Sequence, residues 1–203
     1  MNSTSSPTTV GGLHGSLIED DGRTVPPSSN LRTVVVNDLF AMVADSKEDI
    51  QLEPREGERV GNFLARLRSS TTPEEGVTFA AYALQPRISV WWAHECLATM
   101  REHLSPVDKQ IMELIGTWAH DPSEANRNTI HELALAAPSK TPGVWLGFAT
   151  AASEGGSLGG EILMTTPRAV NAGVLSCLAR GGLPNRSINL ARFITMAQTL
   201  VGD

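Results

Sequence analysis

From Leu31 onward, apolar residues recur at three- and four-residue spacing, the period of one buried helix face. Asn37 is placed to cap a short helix carrying Leu39, Phe40 and Val43. Val60, Phe63, Leu64 and Leu67 form the next stripe. Ser46 to Glu58, acidic and broken by Pro54 and Gly57, reads as an exposed connection between these two helices. Val77, Phe79, Ala80 and Ala83 predict a helix that Pro86 ends. Val90, Ala93, Cys96, Leu97, Met100 and Leu104 predict a longer one over 88–104, expected near the centre of the fold. Ile111, Leu114, Ile115 and Trp118 then face Ile130, Leu133, Ala134 and Ala137 across a break at His120-Asp121, short enough to demand an antiparallel hairpin. Three further stripes follow: Trp145, Phe148, Ala149 and Ala152; then Val170, Val174, Cys177 and Leu178; and finally Leu190, Ala191, Ile194, Ala197 and Val201. Gly155-Gly156 and Gly181-Gly182 are placed to close the first two of these.

Proline punctuates the pattern. Thr72-Pro73, Ser105-Pro106, Asp121-Pro122, Thr141-Pro142 and Thr166-Pro167 each set a hydroxyl or carboxylate before a proline, at the head of an apolar stretch. The side chain can accept from orphan N–H groups of a first helical turn, where proline's missing donor costs nothing. Glu75, Asp108 and Glu124 stand three residues after Thr72, Ser105 and Asp121, as a reciprocal cap requires. Thr33-Val34-Val35-Val36 is β-branched but short and isolated. The helix-starting prolines are unevenly spaced, so no repeat period emerges. The expected fold is all-α, a compact multi-helix bundle or irregular stack of helical hairpins with about seven to nine helices.

Composition adds a boundary. Residues 1–32 are rich in Ser, Thr, Pro and Gly and read as a flexible tail, interrupted by Leu13, Leu17 and Ile18; residues 33–203 read as one domain. The 203-residue chain is 41% hydrophobic, enough for a real core, and carries a formal net charge of −6 without a Lys/Arg-rich run. Phosphate-mediated nucleic-acid binding is therefore not expected. No stretch approaches the roughly 20 apolar residues that span a bilayer, and no basic-then-apolar leader opens the chain, so a cytoplasmic protein without membrane insertion is expected. Cys96 and Cys177 fall on apolar helix faces, where a thiol acts as a small core residue.

Candidate chemistry is sparse. His94, Glu95 and Cys96 are consecutive and point roughly 100° apart on a helix, so they do not converge on a metal even with His120, Asp121, His131 and Glu132 recruited. Ser153-Glu154-Gly155-Gly156-Ser157 matches neither a nucleophile elbow nor a phosphate loop, and it follows a predicted helix rather than a strand. Trp91-Trp92 is the more informative pair, because adjacent indoles on one helix cannot face the same core centre. The packing reading buries both between flanking helices; an exposed one would mark an interface. Arg87, Trp91, His94 and Arg101 share one face and look like a polar rim.

Several segments together resemble an uncharacterised all-helical bacterial family, a domain of unknown function. They are Leu84-Gln85-Pro86-Arg87, Val90-Trp91-Trp92-Ala93, Trp118-Ala119-His120-Asp121-Pro122-Ser123-Glu124-Ala125-Asn126-Arg127, Pro142-Gly143-Val144-Trp145-Leu146, Gly155-Gly156-Ser157-Leu158 and Arg168-Ala169-Val170. The resemblance covers about residues 75–200 and departs at Glu154, where similar proteins carry Ser, and at His94-Glu95. It implies an all-α fold and a setting in type VI secretion gene neighbourhoods, and it brings no catalytic assignment.

The expected function is a non-catalytic protein-binding accessory factor, an adaptor or chaperone with no cofactor, whose partner is another protein such as a secretion-system component or cargo. Trp91, Trp92, Arg87 and His94 are the candidate contact residues. Two alternatives stand beside it: a small-ligand- or metal-binding enzyme using the His94/Glu95/His120/His131 region, and a self-assembling structural subunit forming a homo-oligomer.

Overall fold

The computed structural model of the chain describes residues 30–153 and 165–202. Among them the secondary structure is helical: α1 (Val36–Met42), α2 (Ala44–Glu48), α3 (Val60–Arg68), α4 (Glu74–Ala83), α5 (Pro86–Ala98), a 3-10 turn (Arg101–His103), α6 (Pro106–His120), α7 (Glu124–Ala136), α8 (Pro142–Ala152), α9 (Thr166–Arg180) and α10 (Arg186–Val201). The all-α expectation holds, and among the described residues β pairing is limited to two isolated bridges, Leu31 to Leu84 and Val35 to Arg59. No helix among the described residues is long and apolar enough to cross a membrane.

α8 and α9 form the centre. α8 packs against α5, α6, α7 and α9, and α9 against α4, α5, α8 and α10. α8 is suited to this place because nearly all of it is apolar or small, from Pro142 to Ala151, so it has no face to leave wet. Its glycines let neighbouring helices approach: a Cβ on Gly143 would lie 2.7 Å from the Asp108 Cα, and one on Gly147 2.8 Å from the Ala134 Cβ. α6 and α7 form the expected antiparallel hairpin against this centre. α5, expected near the centre, touches α4, α6, α8, α9 and α10.

The helix starts obey the punctuation unevenly. Ser105 caps α6 with Asp108 in the full reciprocal arrangement, and Pro106 opens the helix. Elsewhere the expected capping groups are engaged otherwise. The Thr72 hydroxyl donates to Glu75, whose other oxygen accepts from the Gln51 and Leu52 N–H groups, so this acid secures the preceding connection and α4 starts without a side-chain cap. α7 starts at Glu124 with Ser123, not Asp121, as its cap, because the Asp121 N–H still bonds back to the Thr117 carbonyl as the end of α6. α9 starts one residue early, with Thr165 at its cap position and Thr166 already helical. Asn37 lies inside α1; the first helical donor, the Val36 N–H, goes to the Glu58 carbonyl and needs no side-chain acceptor.

Three further expectations are corrected by packing. The 46–58 connection contains part of α2, and buried Ser46, Ile50 and Glu58. On α10, Ala191 is exposed and Phe193 takes the buried position. Asn30 to Arg32, assigned by composition to the tail, are tied to the core: Leu31 is buried, the Arg32 N–H donates to the Ala83 carbonyl, and the Asn30 side chain donates to the Leu200 carbonyl. The remaining tail with Leu13, Leu17 and Ile18, and the segment Glu154-Gly155-Gly156-Ser157 expected to cap α8, lie outside the described residues. Beyond α9, Gly182 adopts a positive φ of 72°, the left-handed turn expected of that glycine pair.

Candidate functional site

α5 separates the two tryptophans. Trp92 points into the core, 1% exposed, and its indole N–H donates to the Phe193 carbonyl of α10 at 3.0 Å. It has no surface to offer a partner, so of the expected contact residues Trp92 is a packing residue. Trp91 points the other way and is half-buried, which corrects the reading that flanking helices cover both. One turn further along α5, His94 stacks on it, ring centroids 5.1 Å apart and planes 11° from parallel. His120, at the end of α6, meets it edge-on at 5.9 Å.

This seam between α5 and α6 is held by polar contacts to the α6 backbone. The Arg87 guanidinium, at the start of α5, donates to the Ala119 carbonyl near the α6 C-terminus, where a cation complements the partial negative charge of the helix end. His94 Nε2 lies 3.1 Å from the Met112 carbonyl and His120 Nδ1 2.8 Å from that of Gly116. Arg87, Ile88, Trp91, Ala119 and His120 line a shallow recess of about 230 Å³. Its lining pairs apolar surface with two basic side chains and no acid, on a chain of net charge −6. The structure thus brings Arg87, Trp91 and His94 together as one surface. It adds His120 and Ile88, whose positions in the sequence point only to a hypothetical metal set and to the start of a helix.

The other candidates disperse. His131 packs edge-on against Phe148 on the α7–α8 seam, 6.1 Å between centroids, and burial pushes its imidazole below the usual histidine range against the opposing charge of Glu132. Among the described residues no three His, Cys, Asp or Glu side chains are grouped as metal ligands. Cys96 and Cys177 are buried free thiols, and burial pushes the Cys177 thiol up to about 12. A larger groove of about 370 Å³ lies between the 31–34 strap, α3 and the end of α10, where Leu31, Val34 and Val201 meet Arg59, Asn62 and Gln198.

Among the described residues the one fully buried carboxylate is Asp108, 0% exposed in its side chain. It accepts from the Ser105 N–H and hydroxyl, the Thr141 hydroxyl, the Gly143 N–H and Arg180 Nη1. Every lone pair is committed, so this group ties α6, α8 and α9 together and leaves nothing free for chemistry. Residues 63–201 match a family of unknown function, DUF6931. The chain belongs to that family. No curated protein and no solved structure matches it. The DUF6931 match takes in the whole Trp91 seam and the Asp108 junction, and extends the earlier resemblance over about residues 75–200 at its N-terminal edge. The strap at 30–36, α1 and α2 lie before the matched DUF6931 residues and still bury Leu31, Val36 and Leu39 against the rest.

Proposed function

We propose that this protein is a non-catalytic, protein-binding accessory factor, an adaptor or chaperone that takes its partner on the Trp91 face. The observation carrying this reading is the half-buried indole, framed by His94, His120, Ile88 and Arg87 in a shallow recess. Aromatic and arginine side chains presented this way are the usual anchors of protein interfaces, because an aromatic ring buries large area with few rotatable bonds to freeze and a guanidinium offers a planar fork of donors. The recess lies below the roughly 300–1,000 Å³ range of pockets that enclose a small molecule, and its volume is on the scale of one or two side chains. We take that partner to be a component or cargo of a type VI secretion machine, the setting implied by the resemblance of segments such as Val90-Trp91-Trp92-Ala93.

Tagged wild-type protein and its Trp91→Ala and Arg87→Glu variants, each checked for retained helicity, are compared by affinity purification from native cells with mass spectrometry. A secretion-system component recovered with wild type and lost with both folded variants is the expected result. Full retention of every partner by both variants, or no reproducible partner at all, overturns the reading.

A further inference from the structure

His94 sits between two groups that only accept hydrogen bonds. Its Nδ1 is 2.9 Å from Glu95 Oε1 and its Nε2 is 3.1 Å from the Met112 carbonyl. A neutral imidazole has a single N–H, so it satisfies one of these contacts and turns a lone pair on the other; two donors require the second proton. We propose that the second proton on His94 is a switch that sets the hold on Trp91, closing the α5–α6 seam when bound and loosening it when lost. The inference rests on Trp91 being the docking surface, and concerns how that surface is regulated.

The geometry gives the switch its mechanism. Doubly protonated, the ring is clamped between carboxylate and carbonyl and lies flat against Trp91, a cation over an aromatic face. Once the Nδ1 proton leaves, a lone pair faces the carboxylate. Glu95 is 43% exposed against 15% for His94, so it is the carboxylate that can swing into water. Trp91 then loses the charged ring beneath it. The charged and titratable groups around His94 are Glu95 on its own helix, Arg101 on the 3-10 turn paired with Glu113 of α6 at 3.0 Å, and His120 and Arg87 beyond Trp91. Towards the other helices packed on it, α5 presents Val90, Trp92, Ala93, Cys96 and Leu97, all buried. His120 can work with one proton, because its Nδ1 donates to the Gly116 carbonyl alone.

The test is fluorine NMR on the full chain labelled with 5-fluorotryptophan, with the four resonances assigned by single Trp→Phe variants, across about pH 5 to 8, where imidazoles titrate. The Trp91 resonance moves with pH; this movement disappears in His94→Gln and persists in His120→Gln. In Glu95→Gln, a surface change that leaves packing intact, the movement shrinks, which decides the matter even if His94→Gln does not fold. A pH-silent Trp91 resonance, or one whose movement follows His120, overturns the switch. The measurement needs no partner, so its failure leaves the docking reading standing, and failure to recover a partner leaves the switch standing.

Discussion

Trp92 and Trp118 form a natural pair for measuring one hydrogen bond. Both indoles are buried, on adjacent helices, at 1% and 0% exposure. Replacing either by Phe removes the same atoms and leaves a similar void, so the cavity and transfer costs nearly cancel in the comparison. They differ at the indole nitrogen. Trp92 Nε1 donates to the Phe193 carbonyl at 3.0 Å, whereas Trp118 Nε1 is buried without a hydrogen-bond partner. Trp92→Phe therefore loses a net contribution of about 1 kcal/mol, while Trp118→Phe removes an unsatisfied donor whose burial costs about 1–3 kcal/mol. Trp92→Phe should cost about 2–4 kcal/mol more than Trp118→Phe. Urea unfolding followed by far-UV circular dichroism measures this, provided the denaturant slope is unchanged. At about 2–4 °C per kcal/mol the same gap shows as at least about 4–8 °C in Tm. Equal losses, or a larger loss for Trp118→Phe, would refute the reasoning.

Other substitutions probe the packing directly. Gly143→Ala drives a Cβ into the α6 backbone at Asp108 and should cost about 3 kcal/mol or prevent folding, whereas Gly61→Ala meets only Val201 Cγ1 at 3.6 Å and should stabilise by about 0.5–1 kcal/mol; thermal melts of the two variants separate these outcomes. Burial alone would raise the Asp108 pKa, but the donors from Thr141, Ser105 and Gly143 override it and hold the carboxyl below the usual carboxylate range. The folded state thus favours the ionised form, so the stability Asp108 contributes is present at neutral pH and is lost as pH falls below about 4. Asp108→Asn should lose about 3 kcal/mol at pH 7 and show a flatter stability profile below pH 4; an unchanged profile in acid denaturation would count against the network. Truncation through Val36 should lower Tm far more than truncation through Ser29, because it removes the buried Leu31 and Val36, each contributing about 1.5–3 kcal/mol, and the backbone bonds at Arg32 and Val36.

The helices were legible in the chain because their determinants are local. A stripe such as Ile111, Leu114, Ile115 and Trp118 follows from the 3.6-residue period, and the Ser105–Asp108 cap joins residues three apart. Arg87, Trp91 and His94 could likewise be placed on one face by spacing alone. What covers a face is a long-range fact. Period could not say that Trp92 would find the Phe193 carbonyl 101 residues away, or that His120 would close over Trp91 from another helix. The same limit explains the capping failures: Asn37, Thr72 and Thr141 have the right chemistry, but a distant carbonyl already serves the Val36 donor, and neighbouring carboxylates claim the two threonine hydroxyls. Ile50 and Leu31 sit in stretches whose composition reads as loop and tail, and they are buried because the ends of α3, α4 and α10 leave apolar surface that the passing chain covers. Local spacing suffices for helix, hairpin and the polar face of α5; which tryptophan is core and which is surface follows from tertiary packing, since burial depends on neighbours that local periodicity does not encode.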